Sequence, residues 1–191
     1  WEGYVEVPRE VMAGYTVMSS EAMDQWPLQR APTHVFIQGG CGGLAGAVCL
    51  DLWLRYGADK PRMIIVEPEP AACLYESACA GAMRKVDIQN ESLMAGLSCG
   101  EVSLIAWSIL ERAADDFLTI NDDSVGPLMR RLADEESIIA GESAIAGLAG
   151  LIHARQNEGL SKQLGLMKSS RVLLFGTEGS TDPEVYQQLV G

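Results

Sequence analysis

Five glycines crowd into eight residues at Gly39-Gly40-Cys41-Gly42-Gly43-Leu44-Ala45-Gly46, directly after the short apolar run His34-Val35-Phe36-Ile37-Gln38. No other stretch constrains the fold as strongly. The run before it is β-branched and aromatic, which suits a buried strand. The residues after it, Gly43 to Tyr56, place Leu44, Val48, Leu52 and Tyr56 four apart and stop at Gly57, which reads as an amphipathic helix with a glycine C-terminal cap. A strand handing over to a helix through glycines is a sharp turn whose N–H groups can converge on one anion. The dipole of the following helix adds favourable potential.

A second strand is predicted at Arg62-Met63-Ile64-Ile65-Val66, ending at Glu67-Pro68, so the first strand, the helix and the second strand make a βαβ unit. Helical spacing is also predicted over the first 25 residues, with Val11, Met12, Tyr15, Met18 and Met23 apolar and Trp26-Pro27 as the stop. Further helices are expected over 71–82, 101–117, 122–134 and 144–152, with Ile138-Ile139 a short apolar segment between the last two. Residues 156–170 read as a polar helix-loop stretch with a solvated face. A third strand is expected at Arg171-Val172-Leu173-Leu174-Phe175, followed by a closing helix containing Tyr186 and Leu189. The alternation predicts a three-layer αβα domain with a mainly parallel sheet, residues 1–191 forming a single α/β domain.

Composition narrows the chemistry. Fourteen basic against 26 acidic residues give a net charge of -12, which repels a nucleic-acid backbone, so no nucleic-acid partner is expected. No apolar run reaches the ~20 residues that span a bilayer and no basic-then-apolar leader precedes the first helix, so a cytoplasmic protein without a membrane partner is expected. The five cysteines are odd in number and form no CxxC pair, so neither a disulfide framework nor a metal site is expected. Cys49, Cys73 and Cys79 read as small buried hydrophobes, whereas Cys41 and Cys99 stand beside glycines in loops that can approach a ligand.

The glycine turn leaves two phosphate ligands open. Gly40-x-Gly42-x-x-Ala45 satisfies the dinucleotide fingerprint, and Glu67 closes the second strand near where a ribose-binding acid would stand. Against a dinucleotide, Pro68 follows Glu67 at once. The chain also carries further small-residue loops that a single mononucleotide fold does not need: 95–101, Gly141-Glu142-Ser143-Ala144, and 176–182.

Taken in order, Pro32-Thr33-His34-Val35-Phe36-Ile37-Gln38, the GGCGGLAGAV loop, Val66-Glu67-Pro68, Ala95-Gly96-Leu97-Ser98-Cys99-Gly100-Glu101, Gly141-Glu142-Ser143-Ala144 and Thr177-Glu178-Gly179-x-Thr181-Asp182 resemble the diaminopropionate ammonia-lyases. These are members of the serine/threonine dehydratase superfamily of pyridoxal-phosphate enzymes with fold type II. The opening Trp1-Glu2-Gly3-Tyr4 is similar to the same family. The resemblance implies most of the large domain of such an enzyme and pyridoxal 5'-phosphate as cofactor. The implied reaction is α,β-elimination from a small amino-acid substrate, 2,3-diaminopropionate, giving pyruvate and ammonia. A threonine/serine dehydratase-like lyase is the neighbouring reading, and a homodimer is implied by analogy.

Carried over by residue, the resemblance places Gly39, Gly40, Cys41, Gly42, Gly43 and Leu44 at the cofactor phosphate and Thr177 near the pyridine nitrogen, because Gly176 stands where the family has a hydroxyl residue. No catalytic residue is assigned in this chain. Lys60, Lys85, Lys162 and Lys168 all read as solvated, and the resemblance puts the Schiff-base lysine and a proton-transfer acid upstream of Trp1, in a missing N-terminal part of a longer two-domain enzyme. The chain alone is therefore expected to be inactive.

Overall fold

The computed structural model describes residues 3–191; Trp1 and Glu2, half of the Trp1-Glu2-Gly3-Tyr4 mark, lie outside the described residues. Four strands, β1 (His34–Gln38), β2 (Arg62–Pro68), β3 (Asp116–Ile120) and β4 (Val172–Leu174), form one sheet in the order β3-β2-β1-β4, and every pairing is parallel. The helices are α1 (Glu6–Asp24), α2 (Gly43–Tyr56), α3 (Cys73–Ala80), α4 (Leu104–Ala113), α5 (Val125–Glu136), α6 (Ala146–Gln156), α7 (Glu158–Leu164) and α8 (Pro183–Val190).

The period of two along the strands sends alternate side chains to opposite faces. Val35, Ile37, Met63 and Ile65 pack with Val48 and Leu52 of α2, Leu74 of α3, Leu110 of α4 and Met23 of α1. Phe36, Ile64 and Val66 face the other way, against Val125 and Met129 of α5, Ala146 and Ala149 of α6, and Leu164 of α7. Two apolar layers thus sandwich the sheet, giving the expected αβα architecture.

The boundaries of β1 and α2 fall where the sequence places them, and Gly57 caps α2 with a φ of 58°. One expectation fails. Residues 101–117 do not form one helix: α4 ends at Ala113, and Phe117 belongs to β3, a fourth strand. The cause is long-range. The Asp115 carboxylate accepts from the Met63 N–H (2.8 Å) and pairs with Lys60 (2.6 Å), while Asp116 pairs with Arg62 (2.5 Å), pulling the chain alongside β2.

Smaller corrections concern side-chain placement. Ile138 and Ile139 are exposed in a loop, and Cys79 is exposed because the buried stripe of α3 is Cys73, Leu74 and Ser77. The helix expected within 156–170 is α7, but its face is not wholly solvated: Leu164 is buried, and the Leu164 carbonyl takes a hydrogen bond from His34 Nε2 (2.9 Å).

Topology fixes where a ligand can sit. The chain leaving β1 enters α2 on one face, whereas the chain leaving β4 enters α8, whose Tyr186 and Leu189 pack on the opposite face. Adjacent strands with diverging connections leave a crevice beyond their carboxyl ends. Both the glycine turn and the Gly176–Asp182 loop open into it.

Candidate cofactor site

A cavity of about 710 Å³ occupies this crevice. Its wall includes Gln38, Gly39, Gly40, Cys41, Gly43 and Leu44 from the β1 turn, Gly96, Leu97 and Cys99 from the loop before α4, Ser143 from the loop before α6, and Thr177, Glu178 and Thr181 from the loop after β4. Four segments that the sequence marks by small residues therefore meet at one place. Of the predicted cofactor residues, only Gly42 stands off the wall, turned against α4.

The turn itself requires glycine. Gly40 and Gly42 have φ of 62° and 96°, a region that side chains disfavour. A Cβ on Gly39 would lie 2.5 Å from Glu67 Cγ, and one on Gly42 would lie 3.0 Å from Ala106 Cβ. Gly42 serves as the N-cap of α2 without any side-chain cap, so the first N–H groups of that helix have no partner within it. An anion placed there gains both these donors and the helix dipole.

The loops brace one another. Glu178 accepts from the Ser143 N–H (2.6 Å) through its carboxylate and from the Gly141 N–H (2.9 Å) through its carbonyl, and the Ser143 hydroxyl accepts from the Gly96 N–H (3.1 Å). Gln38 was not singled out by the sequence. Its Nε2 donates to the Phe175 carbonyl and the Thr177 hydroxyl, both at 3.0 Å, tying β1 to the segment after β4. Because both contacts are acceptors, the amide orientation is set, and Gln38 Oε1 is left buried without a partner. The Thr177 hydroxyl, occupied as an acceptor, keeps its own proton free to donate into the cavity.

The wall made by α1 was also not foreseen. Val7, Val11 and Tyr15 recur at a spacing of four and line the cavity together with Met12, which also belongs to the buried stripe of Met12, Ser19 and Met23. The signal was present as two apolar stripes on one helix, one of which has no use in the core.

Glu67 does not behave as a ribose-binding acid. It is fully buried, and its two carboxylate oxygens accept from the N–H groups of Leu74 (3.0 Å) and Tyr75 (2.7 Å), capping α3. The dinucleotide reading loses its acidic partner. Burial pushes this carboxyl up to about 7 from an ordinary 4.5, against the two hydrogen bonds. Since the folded state holds this proton more tightly, the contribution of Glu67 to stability is fully present below pH ~4.5 and is lost as pH rises through ~7, a swing on the order of 3 kcal/mol. The denaturant midpoint should fall across that window. In Glu67→Gln this part of the pH dependence should vanish, and a slope identical to that of the unsubstituted chain would disprove the assignment.

None of the four lysines reaches the cavity. Lys60 is largely covered rather than solvated, but it pairs with Asp115 just before β2, at the opposite end of the sheet; Lys85 pairs with exposed Glu101, and Lys162 and Lys168 are exposed. Among the described residues no helix is long and apolar enough to cross a membrane.

A parallel sheet with a glycine turn at its switch point and small-residue loops around one cavity narrows the class of protein. The profile of the pyridoxal-phosphate dependent enzymes matches residues 4–175, and the chain belongs to that family. Within it, the chain is 36% identical to the diaminopropionate ammonia-lyase of Escherichia coli K12 over 198 aligned residues, covering all of this chain and 50% of that protein. It is 34% identical to the Salmonella typhimurium LT2 protein of the same name, again covering all of this chain and 50% of the relative. The crystal structure of the holo Escherichia coli diaminopropionate ammonia-lyase superimposes with a TM-score of 0.90 at 36% identity, covering 100% of this chain and 49% of that one. The chain thus spans about half the length of the relatives it matches.

The residues present fit pyridoxal phosphate. The glycine turn supplies anion donors where side chains would intrude, Gly96 lines the cavity where a Cβ would press on Ser143 Oγ at 2.8 Å, and the free Thr177 proton offers a donor to a bound ring.

Proposed function

We propose that this chain is the phosphate-binding half of an amino-acid lyase that eliminates ammonia from 2,3-diaminopropionate to leave pyruvate. Residues 1–191 form one α/β domain of a longer two-domain enzyme that works in the cytoplasm as a homodimer. The observation that carries the reading is the convergence of four separate loops on one cavity at the β1/β4 crevice, with the glycine turn against the start of α2.

Each residue then has a task. The N–H groups of Gly40, Cys41, Gly43 and Leu44 would hold the phosphate, Gly39 lining the cradle while its own N–H donates to the Val66 carbonyl (2.9 Å), and Gly42 makes the turn that aims them. Thr177 would donate its hydroxyl proton to the ring nitrogen, Gln38 holding it in place in compensation for Gly176. Pyridoxal phosphate, when bound, supplies the electron sink that lets a proton leave the α-carbon of an amino acid. Val7, Val11 and Tyr15 of α1 keep one side of the cavity apolar and dry. The lysine that bonds the cofactor and the acid that moves the proton are expected from the half of the relatives' length that this chain does not span.

Calorimetric titration tests the cradle. Pyridoxal phosphate should bind the chain with one-to-one stoichiometry, inorganic phosphate should compete, and NAD should not bind; tight NAD binding would reverse the reading. With a full-length polypeptide containing this chain, pyruvate release should be greatest from 2,3-diaminopropionate. Preference for threonine or serine would instead mark a dehydratase.

A further inference from the structure

Among the described residues the cavity wall carries one charged side chain, that of Glu178 on the loop after β4. No Lys, Arg or His reaches the wall, and Gln38, Ser103, Ser143, Thr177 and Thr181 are neutral. A carboxylate is out of keeping with an anion site: it repels a bound phosphate, in a chain that already has 26 acidic against 14 basic residues. Glu178 is half-buried and enters no ion pair with any described residue. Its contacts within the chain explain only half of the side chain. Oε2 accepts from the Ser143 N–H (2.6 Å) and so holds the loop after β4 to the loop before α6, a task an amide oxygen would perform equally well. Oε1 takes no hydrogen bond from any described residue and lies 3.6 Å from where a Cβ on Gly96, itself a wall residue, would stand.

We propose that Glu178 determines which amino acid the site accepts, its free carboxylate oxygen taking the ammonium group on the β-carbon of a diamino acid. This rests on the function proposed above and names the residue that makes 2,3-diaminopropionate the preferred substrate over serine and threonine. Those two carry a hydroxyl on the β-carbon, for which a half-buried carboxylate is the weaker partner. An ammonium forms a charge-assisted hydrogen bond and offsets the negative charge. The substrate's own carboxylate is repelled by Glu178, which sets the orientation: β-nitrogen toward the loop after β4, carboxylate away from it.

The group held there is the one that leaves. An opposite charge within hydrogen-bonding reach keeps the β-amine in its ammonium form. When the Cβ–N bond breaks, its electron pair departs with the nitrogen, and the pair left at Cα by the removed proton becomes the Cα–Cβ double bond. A bound ammonium therefore leaves as neutral ammonia and needs no further proton, whereas a hydroxyl needs an acid in order to leave as water. A carboxylate that holds an ammonium supplies no such proton, so the residue that favours nitrogen as leaving group gives no help to oxygen.

Two substitutions in a full-length polypeptide containing this chain separate charge from bracing. Glu178→Gln keeps an oxygen for the Ser143 N–H and loses the charge; Glu178→Asp keeps the charge and, one methylene shorter, loses the reach to Ser143. Pyruvate release from 2,3-diaminopropionate and from serine gives the preference as a ratio of kcat/KM, and calorimetric titration gives the pyridoxal-phosphate affinity. In Glu178→Gln the preference should fall by ~10–100-fold, mainly through a raised KM for the diamino acid, with no weakening of cofactor binding. In Glu178→Asp the preference should persist while cofactor affinity drops, because the loops of the wall are no longer tied. The opposite ordering, or equal losses on both substrates in Glu178→Gln, would reduce Glu178 to a brace and overturn the proposal. An unsubstituted polypeptide that prefers serine or threonine overturns the function proposed above together with this role of Glu178; a diamino-acid preference that survives Glu178→Gln overturns the role of Glu178 alone.

Discussion

Gly42→Ala should unfold more easily by about 3 kcal/mol, lower Tm by ~10 °C, and weaken pyridoxal-phosphate binding at least ~100-fold. Two costs fall on one methyl group. At a φ of 96° an L-residue is strained by ~1–2 kcal/mol, and the new Cβ would press on Ala106 Cβ at 3.0 Å and Leu110 Cδ1 at 3.1 Å, both on α4 in the tightly packed layer beneath the turn. The chain can relieve that pressure only by moving the turn toward the cavity. Doing so misaligns the N–H groups of Gly43 and Leu44, and charge-assisted hydrogen bonds weaken steeply with angle. Gly14→Ala is the control, since its Cβ meets nothing within 4 Å in the middle of α1; it should leave binding unchanged and gain up to ~1 kcal/mol of stability. Thermal melts and calorimetric titration of the two variants read both effects. Equal behaviour of the two would remove the geometric role given to Gly42.

That residue also shows what local sequence can carry. Its identity, its neighbours and the strand-to-helix context were enough to place the turn, because β1 is a fully buried strand bounded by punctuating residues and α2 has clean four-residue spacing with a glycine stop. The strand β3 had no such frame. It follows α4 after only Ala114 and Asp115, with no glycine or proline between them, and four of its five residues are only partly buried. What makes it a strand is pairing with residues about fifty positions earlier, together with the Asp115 and Asp116 contacts to Lys60, Arg62 and Met63. Propensity cannot report such contacts. The same holds inside the site: Gln38 is separated from Thr177 by 139 positions, and its role exists only because β1 and β4 are neighbours. By contrast, the exposure of Cys79 was legible, since Cys73, Leu74 and Ser77 already define the buried face of α3 at helical spacing.

Tested by itself, the chain should bind pyridoxal phosphate yet release no pyruvate from 2,3-diaminopropionate, threonine or serine, a loss of activity that is complete within detection. The reason is chemical rather than architectural. Elimination by this cofactor requires an amine that forms and surrenders a covalent bond to it, and that amine must lie in the cavity with its proton removed. The cavity wall holds no lysine. The one that is largely covered, Lys60, is spent on Asp115 at the far end of the sheet. Borohydride reduction of the loaded chain should accordingly trap no cofactor on any residue of the cavity, as mass spectrometry of the peptides would show. Mixing the chain with a polypeptide corresponding to the other half of the Escherichia coli relative should restore both the adduct, on a lysine of the added piece, and pyruvate formation. An adduct on this chain's own cavity, or turnover without the added piece, would mean that an amine from this half does the work and that the division of labour proposed for the enzyme is wrong.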